Sequence, residues 1–251
     1  MEAIILAAGK GTRLNETTEN LPKGMIEIFG KTLIERQIEI YNNCGINDIT
    51  IVTGYKNEKI KYSNVDCIFN QNFDSTNINE SLFCASKKFK DSVIISYTDI
   101  IFEQQIIEQV LNFTGDIGIA VNLNWRKNYE DRKLHPLSEA ENVMIENGKI
   151  IKIRKNISEK TSKQKIGEFL GIMKLSKKGG EILLEKYNKL KNNHHGSFHT
   201  AKSLEQAYIT DMLQEIINSG YNVTPVITNG NWMEIDTQED IEKVKKYFNF
   251  I

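Results

Sequence analysis

The sequence predicts a single Rossmann-like α/β domain, with a mostly parallel but mixed sheet and helices on both faces. The apolar run from Ala3 to Ala8 has the composition of a strand that is buried on both sides. After it, segments with helical and with strand periodicity alternate, which is typical of parallel strands joined by right-handed crossovers. A chain of 251 residues can enclose one large core, and it contains no internal repeat or low-complexity linker.

The individual elements follow from apolar periodicity and from turn and cap residues. A helix is expected between the capping residue Thr32 and Gly45, and Asn147-Gly148 favours a tight hairpin turn. A Lys- and Ser-rich loop is expected over 154–166. Strands are predicted at 3–8, 25–29, 48–53, 65–69, 93–97, 117–121, 167–175 and 222–227, a hairpin at 142–153, and further helices at 181–190, 204–217 and from Thr237 onward.

Composition excludes several classes of function. The net charge is -1, and 26% of residues are charged, so nothing suggests a nucleic-acid or membrane surface. No apolar stretch approaches the ~20 residues of a membrane helix, and we expect no signal peptide. The three cysteines have no metal-type spacing and are typical of reduced residues, so we expect a cytoplasmic location.

The loop after the first strand is the strongest candidate for an anion site. Gly9 and Gly11 allow a close backbone approach to phosphate, and Arg13 and Lys23 add two cations. No Gly-Lys-Ser/Thr opens a helix, and Leu14 stands where a dinucleotide motif needs its third glycine, so neither common phosphate-binding pattern fits. A tight turn without a ligand, with a solvated lysine, is the alternative that these residues leave open.

The motif Leu-Ala-Ala-Gly-x-Gly-Thr-Arg-Leu at 6–14, followed by Pro22-Lys23, resembles the signature of nucleotidyltransferases that make activated sugars and activated small phosphates. The resemblance implies the fold of that family and a loop that wraps a nucleoside triphosphate. It assigns catalysis to Lys23 and Arg13, which would offset charge as pyrophosphate leaves. The nucleotide-binding residues that it implies are Leu6, Ala7, Ala8, Gly9, Gly11, Thr12, Arg13, Lys23, Asn77, Asn79, Ser81 and Thr98.

The last four of these residues lie on two further segments. The stretch that includes Asn77, Asn79 and Ser81 resembles the family segment that opens a helix beneath the nucleobase, here running to about Lys88. Its amide and hydroxyl groups could read a base edge and a ribose. An exposed polar loop is the alternative. Thr98 follows the β-branched strand 93–97, at the edge where such sheets bind ligands.

Two carboxylates are candidate metal ligands. Asp99 follows that central strand, and Asp236 lies in a Trp-x-Glu-Ile-Asp-Thr motif before the last helix. The resemblance implies that the two hold Mg²⁺, which favours carboxylate and phosphate oxygens. Each aspartate could instead only cap the helix that follows it.

A third group of residues is predicted to bind the phosphorylated acceptor. Trp125, Tyr129 and Arg132 form an aromatic and cationic segment, Glu168 lies in a Gly-Glu-Phe-x-Gly element, and Glu234 precedes Asp236. Trp125 and Tyr129 could equally pack a helix against the body of the protein. His135 is expected to be structural. Within one domain spanning 1–251, we expect the nucleotide part over about 1–121 and the acceptor part over about 122–251.

Within this superfamily the chain resembles the small cytidylyltransferases that act on phosphorylated amines and amino acids. The expected reaction is Mg²⁺-dependent transfer of CMP from CTP to a small phosphate, with phosphoglutamine and capsule biosynthesis as the specific expectation. A hexose-1-phosphate nucleotidylyltransferase using UTP or dTTP is an alternative, although its usual Leu-Gly-Thr-Ala element is missing. A nucleotide-binding regulatory protein without turnover is another. The expected state is a monomer or a homodimer.

Overall fold

The computed structural model describes residues 1–158 and 161–248, and within them the chain forms thirteen strands and six α-helices. The strands are β1 (Glu2–Ala7), β2 (Glu27–Ile28), β3 (Lys31–Thr32), β4 (Ile49–Thr53), β5 (Asp66–Phe69), β6 (Val93–Tyr97), β7 (Ile100–Phe102), β8 (Ile117–Asn122), β9 (Glu141–Glu146), β10 (Lys149–Lys155), β11 (Gln164–Leu175), β12 (Thr224–Ile227) and β13 (Trp232–Glu234). The helices are α1 (Leu33–Asn43), α2 (Ile78–Cys84), α3 (Gln104–Leu111), α4 (Lys177–Asn193), α5 (Ile209–Asn218) and α6 (Gln238–Tyr247).

A nine-stranded mixed sheet forms the centre of the molecule, in the order β10-β9-β11-β6-β1-β4-β5, with β8 attached to β11 and β12 attached to β8. The strands β6, β1, β4 and β5 run parallel, as does the pair β8 and β12. The long strand β11 runs antiparallel to β6, β8 and β9. The predicted mixed α/β sheet is therefore confirmed, with the parallel strands of the first half joined to an antiparallel second half.

Both faces of the sheet are covered, because β1 sends alternate side chains into two cores. Ile4 and Leu6 pack with apolar residues of α2, α4 and α5. Ala3 and Ile5 pack with those of α1 and α3 on the opposite face. This double burial explains why the first strand is apolar throughout, and it confirms the predicted helices on both faces.

The order of the parallel strands reverses at β1, because β4 pairs with one side of it and β6 with the other. The Thr98 backbone N–H donates to the Leu6 carbonyl at 3.2 Å, so the turn after β6 lies against the loop that follows β1. A reversal of this kind opens a crevice at the carboxyl ends of parallel strands. The glycine loop and Asp99 therefore meet at one edge.

Several local predictions are corrected. The strand expected at 25–29 is only β2, paired with β3. The loop expected over 154–166 is shorter, because Lys155 pairs with Glu141 and β11 begins at Gln164; residues 159–160 of that loop lie outside the described residues. The helix expected from 204 begins at Ile209, where Asp211 accepts from the Tyr208 N–H. Among residues 1–158 and 161–248 no helix has the length and apolar character needed to cross a membrane.

Candidate active site

A cavity of about 600 Å³ lies at the edge where β1 and β6 end. Its volume is in the usual range for small-molecule sites. The predicted residues that line it are Leu6, Ala8, Gly9, Gly11, Thr12, Arg13, Lys23, Asn77, Ser81, Thr98, Asp99, Glu168, Glu234 and Asp236. Residues predicted for the nucleotide, the metal and the acceptor thus share one cavity, although some 230 positions separate the first from the last.

The five other predicted site residues do not line the cavity: they are Ala7, Asn79, Trp125, Tyr129 and Arg132. Ala7 ends β1 with its side chain in the core on the α1 side. Asn79 is fully buried in α2, and neither its amide oxygen nor its amide nitrogen has a hydrogen-bond partner among the described residues.

The glycine loop is shaped to pass over the stem of Lys23. Gly11 has a φ of 64°, which favours glycine, and a Cβ there would lie 3.0 Å from the Lys23 Cβ. A Cβ on Gly24 would meet the Thr98 hydroxyl oxygen at 2.3 Å. Both glycines therefore allow the Lys23 side chain to run between the loop and β6 and to reach the cavity.

Four charged groups meet where Lys23 enters the cavity. The Lys23 ammonium donates to Asp99 Oδ2 at 2.7 Å and to Asp236 Oδ1, and an Arg13 guanidinium nitrogen lies 2.7 Å from Asp236 Oδ2. Burial alone would lower the pKa of Lys23, but the charges of Asp99 and Asp236 outweigh burial and raise it. Burial would raise the pKa of Asp236, but the cations of Lys23 and Arg13 lower it to about 2. We call these four residues the charge cluster.

The charge cluster retains binding capacity for a divalent cation. Two buried carboxylate oxygens, Asp99 Oδ1 and Asp236 Oδ2, accept no hydrogen bond of good geometry from the described residues. The Arg13 guanidinium lies beside Asp236 Oδ2 as an ion-pair partner. Buried oxygens of this kind are costly unless they find a cation or donor. Two carboxylate oxygens facing a site for phosphates are the donor set that Mg²⁺ prefers, so the residues fit such an ion.

His135 lies beside the charge cluster, which the sequence did not indicate. It is buried, its Nδ1 is 3.2 Å from Asp236 Oδ2, and its Nε2 is 3.6 Å from Glu234 Oε2. Burial and the Arg132 charge lower the pKa of His135 to about 4, so the imidazole is neutral at pH 7. A second set of side chains could also hold a cation. Its ligand atoms, one from each residue, lie within 4.8 Å of one another and belong to His135, Glu234 and Asp236.

A further part of the cavity wall carries two carboxyl groups and a lysine. Glu168 is buried; its Oε1 accepts from the Tyr129 hydroxyl, and its Oε2 has no partner among the described residues. Glu141 accepts from the Tyr97 hydroxyl at 3.3 Å and from the Thr210 hydroxyl at 3.2 Å. Lys155 lines the same wall. We call Glu141, Lys155 and Glu168 the distal group.

Burial dominates the electrostatics of this end. It raises the pKa of Glu168 to about 8, against the opposing Tyr129 hydrogen bond and Arg132 charge. It raises the pKa of Glu141 to about 7, against the opposing charge of Lys155. Burial thus favours the protonated form of both carboxyl groups, and a cationic ligand beside them would favour the ionised form.

Trp125, Tyr129 and Arg132 lie one layer behind the cavity instead of on its wall. The short 3₁₀ helix Trp125–Tyr129 turns both aromatic rings inward, where they meet edge to face at 5.8 Å and pack with Ile166. Arg132 Nε donates to Asp240 Oδ1 at 2.8 Å, and both side chains are fully buried. Two of the three touch a cavity residue: the Tyr129 hydroxyl donates to Glu168, and an Arg132 guanidinium nitrogen donates to the backbone carbonyl of Glu234 at 3.3 Å.

Asp240 links this layer to the charge cluster. Its Oδ2 accepts from the backbone N–H groups of Asp236 at 2.9 Å and Thr237 at 2.8 Å, while its Oδ1 accepts from Arg132. The backbone that carries Asp236 is therefore fixed by a carboxylate whose charge is balanced by Arg132. Both groups hold a site residue in place without entering the cavity.

Replacing Arg132 by methionine is expected to lower the free energy of unfolding by roughly 3–5 kcal/mol, because Asp240 becomes a buried charge without its partner. Urea unfolding would measure this loss. Lys127→Met, an exposed change on the same segment, is the matched control and should alter stability by less than about 0.5 kcal/mol. A loss below about 1 kcal/mol for Arg132→Met would show that the pair is not a structural link.

Part of the distal group could have been predicted from the sequence. Glu141 has the same strand parity as Val143 and Ile145, which are buried in the core, so an acidic residue at an inward-facing position is the signal. Lys155 gave no such signal, because it ends a lysine-rich edge strand whose other cations face solvent.

Comparison with known proteins shows the family of the chain. The family model described as a MobA-like NTP transferase domain matches residues 3–144, which contain the glycine loop, Lys23 and Asp99. The chain belongs to this family, and it is an enzyme of the nucleotidyltransferase type.

Two curated relatives and one solved structure illustrate the relationship. The chain is 33% identical to the CTP:phosphoglutamine cytidylyltransferase of Campylobacter jejuni over 254 residues, which cover 96% of this chain and 98% of that one. It is 40% identical to the choline-phosphate cytidylyltransferase of Streptococcus pneumoniae over 107 residues, 41% of this chain and 47% of that one. The structure of a CTP:phosphocholine cytidylyltransferase from Streptococcus pneumoniae superposes with a TM-score of 0.72 at 24% identity, covering 98% of this chain and 97% of that one. This last likeness supports the fold.

Proposed function

We propose that the enzyme transfers CMP from CTP to the phosphate of a small phosphorylated amino acid, with phosphoglutamine as the specific acceptor. The observation that carries the proposal is the 33% identity to a CTP:phosphoglutamine cytidylyltransferase over nearly the whole of both chains. The cavity supports it, because cations for a triphosphate lie near one end and polar groups for a small acceptor line the other. A cytoplasmic place in capsule biosynthesis belongs to the same proposal.

The proposed reaction is a direct displacement. An oxygen of the acceptor phosphate forms a bond to the α-phosphorus of CTP, the bond from that phosphorus to the bridging oxygen breaks, and pyrophosphate leaves with the electron pair. No protein nucleophile is needed, since the acceptor phosphate is already a competent nucleophile. The chain's own contribution is therefore positioning and charge stabilisation.

Each group of the charge cluster has a role in this scheme. Asp99 and Asp236 would hold a divalent cation, Mg²⁺ by their oxygen chemistry, and that charge would be shared with the triphosphate. Lys23 and Arg13 are fixed by the same carboxylates before substrate binds, so their charges need no reorganisation when pyrophosphate departs. The glycine loop lets the backbone approach the phosphates.

Pyrophosphate release tests the proposal directly. Each nucleoside triphosphate is combined with phosphoglutamine, phosphocholine, aminoethylphosphonate and glucose 1-phosphate, with Mg²⁺ or with EDTA. The expected result is turnover with CTP and phosphoglutamine that EDTA abolishes. Turnover with UTP or dTTP and glucose 1-phosphate would place the enzyme in the sugar branch, and turnover confined to phosphocholine would reassign the acceptor.

A further inference from the structure

The distal group has no role in the displacement reaction, yet it is built as a binding site. Glu168 is 1% exposed, lines the cavity and has no partner for its Oε2 within the part of the chain that the structure describes. A buried carboxyl oxygen of this kind costs free energy in the empty protein. Glu141 is a second carboxyl group that lines the same cavity. Such an arrangement is adapted to a ligand that donates hydrogen bonds and carries positive charge.

A third group gives this wall a mixed character. The Lys155 ammonium donates to Glu139 Oε2 at 2.7 Å and lies 5.8 Å from the centre of the Tyr208 ring. Its side chain is 41% exposed and lines the cavity together with Glu141, so it remains open to an anionic ligand. The wall thus presents two acceptors for a cation beside one donor for an anion.

We propose that the distal group binds the α-amino acid part of the acceptor, with its ammonium between Glu141 and Glu168 and its carboxylate on Lys155. This inference rests on the proposed function, because it specifies how a phosphorylated amino acid would be told apart from a phosphorylated amine. A phosphorylated amine offers the ammonium alone and leaves Lys155 unused.

The placement of the aromatic residues favours the same ligand. An aromatic enclosure is the usual receptor for a quaternary ammonium. Trp125 and Tyr129, the pair expected to provide one, are buried behind the wall and are held there by bonds to Ile166 and Glu168. Hydrogen-bond acceptors occupy the wall in front of them, and these suit a primary ammonium with N–H groups to donate.

The test measures discrimination between acceptors and not activity alone. Wild-type enzyme is assayed with CTP and phosphoglutamine, with its deamino analogue, and with its decarboxy analogue. We expect the wild type to disfavour each analogue by about 100-fold in kcat/KM, since each one leaves a charged group of the wall unpaired. Glu168→Gln should reduce the discrimination against the deamino analogue to about 5-fold, and Lys155→Met should do the same for the decarboxy analogue.

The variants are chosen to retain the fold. Glutamine at 168 keeps an oxygen that accepts from the Tyr129 hydroxyl. Lys149→Met, on the same strand as Lys155 but outside the cavity, is the matched control and should leave both ratios unchanged. CTP binding by calorimetry checks that each variant is folded.

The outcomes separate this inference from the proposed function. Turnover of phosphoglutamine with ratios that Glu168→Gln and Lys155→Met do not alter would overturn the inference and leave the function standing. Failure of the wild type to use phosphoglutamine with CTP would overturn both. The inference is established if Glu168→Gln reduces only the discrimination against the deamino analogue and Lys155→Met reduces only the discrimination against the decarboxy analogue.

Discussion

Lys23→Met is expected to lower kcat by roughly 10³-fold while weakening CTP binding by less than about 10-fold. The reason is the position of the ammonium, which is buried and held by Asp99 and Asp236 before any substrate arrives. A cation fixed in this way acts most strongly on charge that develops during the reaction, when pyrophosphate leaves. Methionine retains the stem that packs under Gly11 but removes the charge.

Steady-state pyrophosphate release and calorimetric CTP binding would measure the two effects separately. Lys10→Met is the matched control: Lys10 lies in the same loop, is about half exposed and does not line the cavity, so its removal should change kcat by less than about 3-fold. Lys23→Arg keeps the charge and tests position. A Lys23→Met enzyme with a raised KM and an unchanged kcat would show that Lys23 only binds the nucleotide.

Asp236→Asn is expected to remove Mg²⁺-dependent turnover, with a loss of at least about 10³-fold. Asp236 is the carboxylate on which Lys23, Arg13 and the proposed metal all depend, and asparagine has its shape without its charge. The side chain is 3% exposed, so water cannot replace the lost charge. We therefore expect a larger effect than for an exposed ion pair.

Manganese binding measured by electron paramagnetic resonance gives a readout that does not depend on turnover. The variant should bind Mn²⁺ and CTP together at least about 10-fold more weakly than the wild type. Glu239→Gln, three residues further along the chain, is the control, since Glu239 accepts from the exposed backbone at Lys133 and Leu134 and does not line the cavity. Full activity of Asp236→Asn in Mg²⁺ would assign the metal to other ligands.

The elements that the sequence predicted well are those whose signal is local. The run Val93–Tyr97 is a strand with the predicted bounds, and the capping box of Thr32 and Glu35 starts α1 where expected. The strand β7 and the helix α3 were not predicted. Strand β7 has only three residues and is a strand because β13, from the far end of the chain, pairs with it.

The residues of the candidate site also divide into those with a local sequence signal and those without one. Gly11, Lys23, Asp99 and Asp236 belong to short motifs, and the structure brings them together in one cavity. The role of Trp125 could not be read in this way, because an aromatic and cationic segment is equally compatible with a cavity wall and with a packed layer. Its 3₁₀ turn and the residues that face it decide between the two, and these come from β11.

The fully buried pair of Arg132 and Asp240 has a consequence for engineering. It joins the stretch around 125–140, which lies behind the cavity wall that we propose binds the acceptor, to the start of the last helix, more than a hundred positions away. A graft that imports this stretch from a relative with another acceptor would place a foreign residue against Asp240. Acceptor preference in this enzyme is therefore transferable only when two segments are exchanged together, so that the residues at positions 132 and 240 come from the same protein.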